Sequence, residues 1–226
     1  IDPGHDLYLS MPGTYFDFAA QPIPADFFGP GSLPFEGRVY LAGIPESYVP
    51  CMQDPPADTI IMRPLASNPP DIVPIELVQL HLVSINPIPV QYEVGPVQFW
   101  NVDVGIAPIP VPQSTMAIRH EFANGGTFDA QLFVYPQFTF VDEGGGDVRS
   151  WVPIGPFTFG AAGVPWEHAT PPAGSCRSNF CASPSGAVLS GPFGQLAWAP
   201  ICPVSSDSAP EGESASTWGR VKSSYR

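Results

Sequence analysis

The run ANGGTFDAQLFVYPQFTFV, residues 123–141, decides the fold class. Asn124-Gly125-Gly126 has the composition of a tight hairpin turn, because Asn-Gly supplies the positive φ values of a type I′ turn that matches strand twist. The residues after it are rich in aromatic and β-branched side chains, which suit a pleated, half-buried surface. Pro136 predicts a bulge or an edge in this strand, since proline cannot donate to a ladder. STMAIRHEF (114–122) supplies the other arm of the hairpin.

Working outward, VQFWNVDVGI (97–106) alternates, with Phe99, Asn101 and Asp103 set against Trp100, Val102 and Val104. IELVQLHLVSI (75–85) is the strongest strand pattern. Ile75, Leu77, Gln79, His81 and Val83 fall on one face, and Glu76, Val78, Leu80, Leu82 and Ser84 on the other. Both faces are partly apolar, as in a central strand covered on both sides. GRVYLAGIP (37–45) reads as a strand with Val39 and Leu41 on one face, and TIIMRPL (59–65) as one that stops at Pro64. VDEGGGDVRSWV (141–152) predicts a second hairpin with a glycine tip, and GPFTF (155–159) and GPFGQLAWAPI (191–201) read as closing strands. With 31 prolines in 226 residues, long helices are excluded, because each proline removes a donor and clashes with the preceding turn.

The expected architecture is all-β: an antiparallel β-sandwich or barrel-like domain with Pro/Gly-rich loops. Residues 1–36 form an extended Pro/Phe-rich segment that Phe27, Phe28 and Phe35 pin onto the core. Residues 37–204 form the main domain, with 145–204 as a candidate second small β subdomain. Residues 205–226 combine a polar linker with a tail, TWGRVKSSYR.

Eight cations against 21 acids give a net charge of −13, which would repel a phosphate backbone or an anionic membrane surface; nucleic-acid binding is thereby excluded as an expectation. No apolar run approaches the ~20 residues of a membrane-spanning helix. IDPGHDLYLS at the start has no signal-peptide pattern and no initiator Met, as expected of a processed amino terminus. Cys51, Cys176, Cys181 and Cys202 make an even set that fits an oxidising compartment. The expected pairing is Cys176–Cys181, closing the small loop CRSNFC, and Cys51–Cys202; the C-x4-C spacing is too loose to favour zinc. The expected location is secreted or cell surface, extracellular or periplasmic.

Little in the sequence could do chemistry. His5, His81, His120 and His168 have no partner at metal-ligand spacing, and PWEHAT (165–170) reads as a packed loop. No nucleophile elbow or zinc-protease motif occurs. Asp142, Glu143 and Asp147 are calcium candidates at the glycine tip, although they lack EF-hand spacing and a solvated tip is the plainer reading. No other cofactor is expected. Trp100, Trp151, Trp166 and Trp198 either stack on sugars or fill the core. The tail gathers Trp218, Arg220, Val221, Lys222, Tyr225 and Arg226, an aromatic and cationic set suited to docking on an acidic surface.

PIPADFFGPGSLPFEGRVYLAGIP, ADTIIMR, IELVQLHLVSINPIPV and STMAIRHEFANGGTFDAQLFVYPQFTFV occur in this order over most of residues 12–142. Together they resemble an uncharacterised family of exported bacterial proteins of environmental and planctomycete-like lineages. The tail is similar to the WG-x-x-K-x-x-Y/F-R endings of other exported bacterial proteins. The resemblance implies export and a β-rich fold, and it transfers no catalytic residue. The expectation is therefore a non-enzymatic extracellular or cell-surface structural protein that self-assembles into a filament or surface layer, or docks on an envelope protein. TFDAQLFVY is the strand expected to pair at an edge. The alternatives are a secreted carbohydrate-binding module using exposed tryptophans, and a secreted hydrolase with an unlocated acid pair.

Overall fold

The computed structural model describes residues 1–182 and 186–202. Among these residues sixteen strands follow one another. The first seven are β1 (Gly4–Ser10), β2 (Tyr15–Asp17), β3 (Arg38–Gly43), β4 (Thr59–Arg63), β5 (Asp71–Leu80), β6 (Leu82–Ser84) and β7 (Ile88–Val90). Then come β8 (Gln98–Ile106), β9 (Ser114–Phe122), β10 (Gly125–Val134), β11 (Pro136–Asp142) and β12 (Val148–Trp151). The last are β13 (Phe157–His168), β14 (Phe180–Ala182), β15 (Ala187–Gly191) and β16 (Gly194–Pro200). Among the described residues the one helical element is a 3-10 turn at Val49–Cys51.

Eight strands close on themselves in the order β1-β4-β5-β9-β10-β13-β15-β16, with β16 pairing back onto β1 through Leu9 opposite Ala199. The barrel-like expectation is met by an antiparallel barrel. Its interior is filled rather than hollow. Tyr8, Ile61, Ile75, Met116, Phe128 and Trp198 converge around a residual space of about 10 Å³, which holds at most one water.

A second sheet branches from the barrel. It runs β16-β2-β3-β6-β8-β11-β12, with β7 beside β8. Three stretches of chain run from the barrel into the second sheet. β1 passes into β2 through residues 11–14. β5 passes into β6 at His81, whose N–H donates to Asp58 O (2.8 Å) and whose carbonyl accepts from Ile44 N (3.0 Å). β10 passes into β11 at Tyr135, whose carbonyl accepts from Ala107 N (2.8 Å), while the next residue, Pro136, has no N–H to place. Phe16 on β2 fills the junction, its ring centroid 5.2 Å from Phe138 and 5.6 Å from Phe157.

Several expectations need correction. IELVQLHLVSI is not one strand with two constant faces. Ile60 pairs Gln79 but Ile61 pairs Leu77, so Val78 is a bulged extra residue that reverses the alternation. Ile75 therefore faces the core together with Leu80 and Leu82. Val78 packs outside the barrel against a small cluster of Leu7, Ala57 and Ile60. That outer cluster explains the two-sided apolarity. β10 is no edge either, since β9 and β13 flank it. Residues 145–204 are not a separate subdomain, because β13, β15 and β16 are staves of the barrel and Phe159, Leu189 and Trp198 share its core. Within 1–36, β1 and β2 are integral strands. The rest is pinned as expected, with Phe28 buried against Trp100 and Phe140, Phe27 against Phe140, and Phe35 against Phe18.

The central hairpin exists, but its turn is not type I′. Ala123 and Asn124 turn the chain without positive φ. Gly125 and Gly126 are extended, and the extra residue Glu121 on β9 makes a bulge, because Gly125 pairs Phe122 and Gly126 pairs His120. The glycines are required by crowding. A Cβ on Gly126 would lie 1.9 Å from Arg119 O, and one on Gly125 would lie 2.1 Å from Trp166 O. Both obstacles are backbone and cannot rotate away. Gly126→Ala is expected to lower stability by about 1–3 kcal/mol or more. Urea denaturation checks this, and a loss below about 0.5 kcal/mol would contradict it.

Candidate functional site

Every arginine among the described residues is engaged with a carboxylate. Arg38 pairs Asp17 (2.9 Å), Arg63 pairs Asp6 (2.8 Å), Arg119 pairs Asp129, Arg149 pairs Asp147 (3.3 Å) and Arg177 pairs Asp54 (3.0 Å). The other three cations of the chain are Arg220, Lys222 and Arg226, whereas of the acids only Asp207, Glu211 and Glu213 lie beyond Cys202. The body is thus an acidic particle whose cations are already used. The docking set Trp218, Arg220, Val221, Lys222, Tyr225 and Arg226 lies outside the described residues.

Two of these pairs are structural. Arg63 is fully buried at one end of the barrel. Its Nε and Nη2 reach both oxygens of Asp6 at 2.8 and 2.9 Å, Ser178 Oγ donates to Asp6 Oδ1 at 3.0 Å, and the guanidinium lies 4.7 Å over the Phe180 ring. Burial by itself would favour the neutral form, but the Asp6 charge and its hydrogen bonds outweigh it, so the Arg63 pKa is raised. Burial, then the Asp6 charge, pushes the neighbouring Tyr8 phenol up as well. Asp54 ties down the Cys176 loop, accepting from Ser175 Oγ (2.5 Å), Cys176 N (2.9 Å) and Arg177 Nε (3.0 Å).

The Arg119–Asp129 pair is exposed and gives a pH signature. The Arg119 hydrogen bond, then that from Gly163 N, hold Asp129 at about 2 against an ordinary 3.8. The folded value lies below the unfolded one. Its stabilisation is present above the unfolded pKa of 3.8 and is lost as pH falls through about 2. Asp129→Asn is expected to cost under about 1 kcal/mol at pH 7, because solvent screens the pair. The gap between wild type and variant should narrow in urea titrations from pH 5 to pH 2. A gap that widens on acidification would contradict this assignment.

The cysteines pair as Cys51–Cys176 (Cα–Cα 5.4 Å) and Cys181–Cys202 (5.5 Å), which corrects the expected connectivity. CRSNFC cannot close on itself, because its chain is drawn out: Arg177 bridges His5 of β1, and Phe180–Ala182 runs along β13 as β14. PWEHAT is likewise no loop at its start, since Trp166, Glu167 and His168 are the end of β13.

The histidines have local partners. His81 lies between Glu46 (2.9 Å) and Asp103 (3.1 Å) where barrel meets second sheet. His120 reaches Trp166 across the side-chain gap left by Gly126, with ring centroids 6.1 Å apart. His168 stacks edge-on at 5.0 Å from Trp166. Burial, more than the nearby amino terminus and His120, lowers its pKa. Trp100, Trp166 and Trp198 are buried in the core and present no face for stacking on a sugar, and Trp151 is partly buried against the core. At the calcium candidates the chain closes a hairpin, with Asp142 N donating to Asp147 O at 2.9 Å, Glu143 N to Phe99 O at 3.0 Å, and the Asp147 carboxylate meeting Arg149. Among the described residues, the one trio of metal-capable side chains drawn together is His5, Cys51 and Cys176.

A surface groove of about 470 Å³ lies where β5 and the β10–β11 bend meet the loop 107–113, APIPVPQ. Leu77, Ile106 and Tyr135 line it, and exposed Ile109 and Val111 stand on the loop. Glu76 is the acid in its lining. The prolines at 108, 110 and 112 bring no N–H of their own, and the loop turns tightly at Pro108, where Ile109 N donates to Ala107 O at 2.8 Å. Gln113 Nε2 anchors its end by donating to Ile75 O (3.2 Å) and Ser114 O (3.0 Å). The sequence reading missed this groove, although the alternating prolines of APIPVPQ were its signal.

No protein-family model matches the chain, and comparison with curated proteins and with solved structures finds no match. No helix among the described residues is long and apolar enough to cross a membrane.

Proposed function

We propose that this chain is a non-enzymatic, exported structural protein whose copies join through the C-terminal segment 217–226 of one and the acidic, grooved body of the next. The observation that carries this reading is the distribution of charge. All five arginines of the described body are bound to carboxylates, while the last seven residues concentrate three cations beside Tyr225. Residues 203–226 can extend over roughly 80 Å, ample to leave one barrel and reach another. The groove offers an apolar floor for Trp218 or Tyr225 and Glu76 for a cation. Two disulfides fit an oxidising location, and the β-rich fold fits the resemblance to exported bacterial proteins. The non-enzymatic reading is supported by the use of His81, Arg63 and Arg177 in structural pairs.

Assembly by strand addition along β10 is not part of this reading, since β10 has neighbours on both sides. The carbohydrate alternative draws no support from Trp100, Trp166 and Trp198, which are buried. The hydrolase alternative needs two acids in a cleft, and the groove lining holds Glu76 alone.

Removing residues 205–226 is the test. The shortened chain is expected to keep its fold and sediment as a monomer under conditions where the full chain associates. Association unchanged by the deletion would refute the tail's role.

A further inference from the structure

One corner of the molecule is built to hold two sulfurs and an imidazole together. His5 Nδ1 lies 3.7 Å from Cys51 Sγ, and the ligand atoms of His5, Cys51 and Cys176 all lie within 4.8 Å of one another. Contacts other than the disulfide also fix this corner. His5 N donates to Cys176 O at 3.0 Å, joining the Cys176 loop to β1. Asp54 follows Cys51 closely in the chain and grips the same loop through Ser175, Cys176 N and Arg177. The Asp54 and Arg177 side chains are themselves at most 9% exposed, so solvent competes little for these bonds. Cys51 N donates to Tyr48 O at 2.8 Å, which holds the turn carrying Cys51. Cys176 is only partly buried, which gives an ion a way in.

We propose that this corner is a masked zinc site, closed while Cys51 and Cys176 are joined and opened by reduction. A dithiol or a phosphine supplies two electrons. The S–S bond breaks, each sulfur takes a proton, and the reductant leaves as a cyclic disulfide or as a phosphine oxide that takes its oxygen from water. Zinc then displaces both thiol protons and binds two thiolates and His5 Nδ1. That is a three-ligand set with a solvent position left open, the donor pattern of a tetrahedral zinc centre. This inference is independent of the proposed function. It concerns a face formed by β1, the 3-10 turn and the loop before β14, none of whose residues lines the groove.

The test uses the full chain, reduced anaerobically with a phosphine and titrated with Co²⁺ as a visible stand-in for Zn²⁺. The expected result is one ion per chain, a thiolate-to-cobalt charge-transfer band, and bleaching of that band by Zn²⁺. Cys51→Ser with Cys176→Ser should abolish the band, and His5→Ala should weaken binding by about tenfold or more. The unreduced protein should show no band. Circular dichroism reports whether the reduced chain keeps its β fold. Three results would overturn the proposal: no band, a band that survives loss of Cys51 and Cys176, or a chain that unfolds when reduced in the presence of the ion, since the bound ion is expected to take over the link that the S–S bond made.

Discussion

Asp6→Ala is expected to cost about 3–5 kcal/mol of stability. The change strands a guanidinium that has no exposure to water, and an uncompensated buried charge is among the costliest single defects. Ser178 and the Asp2 carbonyl would remain near Arg63, but neither carries the opposite charge. The loss therefore measures the desolvation of Arg63 rather than the worth of one hydrogen bond. The paired replacement Asp6→Leu with Arg63→Met separates the two. It removes both charges and should lie much nearer to wild type than Asp6→Ala, because well-packed apolar substitutes for a buried pair are often neutral. Guanidinium unfolding of the three proteins decides the matter. Asp6→Ala within about 1 kcal/mol of wild type would mean that water reaches Arg63 and that this end of the barrel is open.

Removing Cys51–Cys176 should cost more than removing Cys181–Cys202. The first joins residues 125 apart and the second residues 21 apart. The longer loop restricts the unfolded chain more, so the expected losses are about 5 and about 3 kcal/mol. The native side is matched, with Cα–Cα separations of 5.4 and 5.5 Å. Double alanine variants of each pair, unfolded in denaturant, give the comparison. The reverse order would show that the reduced, unfolded chain already holds Cys51 near Cys176, as residual structure around Asp54 could arrange.

Elements buried on one face were legible from alternation alone. β3 exposes Arg38 and Tyr40 and buries Val39 and Leu41, and β8 buries Trp100, Val102 and Val104. β13 was legible only at its start, because Gly160, Ala161, Ala162, Gly163 and Pro165 erase the pattern. The structure explains the tolerance. Pro165 pairs Thr127 on one side, and on the other it falls between Gly160, which meets β15, and Trp166, which meets β14. No ladder needs its missing N–H. Closure of the barrel was hidden for a different reason, since Leu9 and Ala199 are joined from opposite ends of the described chain. The buried pair had a signal that was overlooked: Arg63 shares a strand face with the core residue Ile61, and Asp6 with Tyr8. Two opposite charges on inward faces need each other. The disulfide partners had no such signal, because chain proximity favours Cys176–Cys181 and only the course of β14 forbids it.

Copies of this protein are proposed to associate through cations of one against the acidic body of another. The measurement that bears on this most directly is the mass of the full, unreduced chain by light scattering at low and at high ionic strength. The expected result is a multiple of 24.1 kDa at low salt, falling toward the single-chain mass as salt screens exposed charges. A mass of 24.1 kDa at low salt and high concentration would rule out association through the tail.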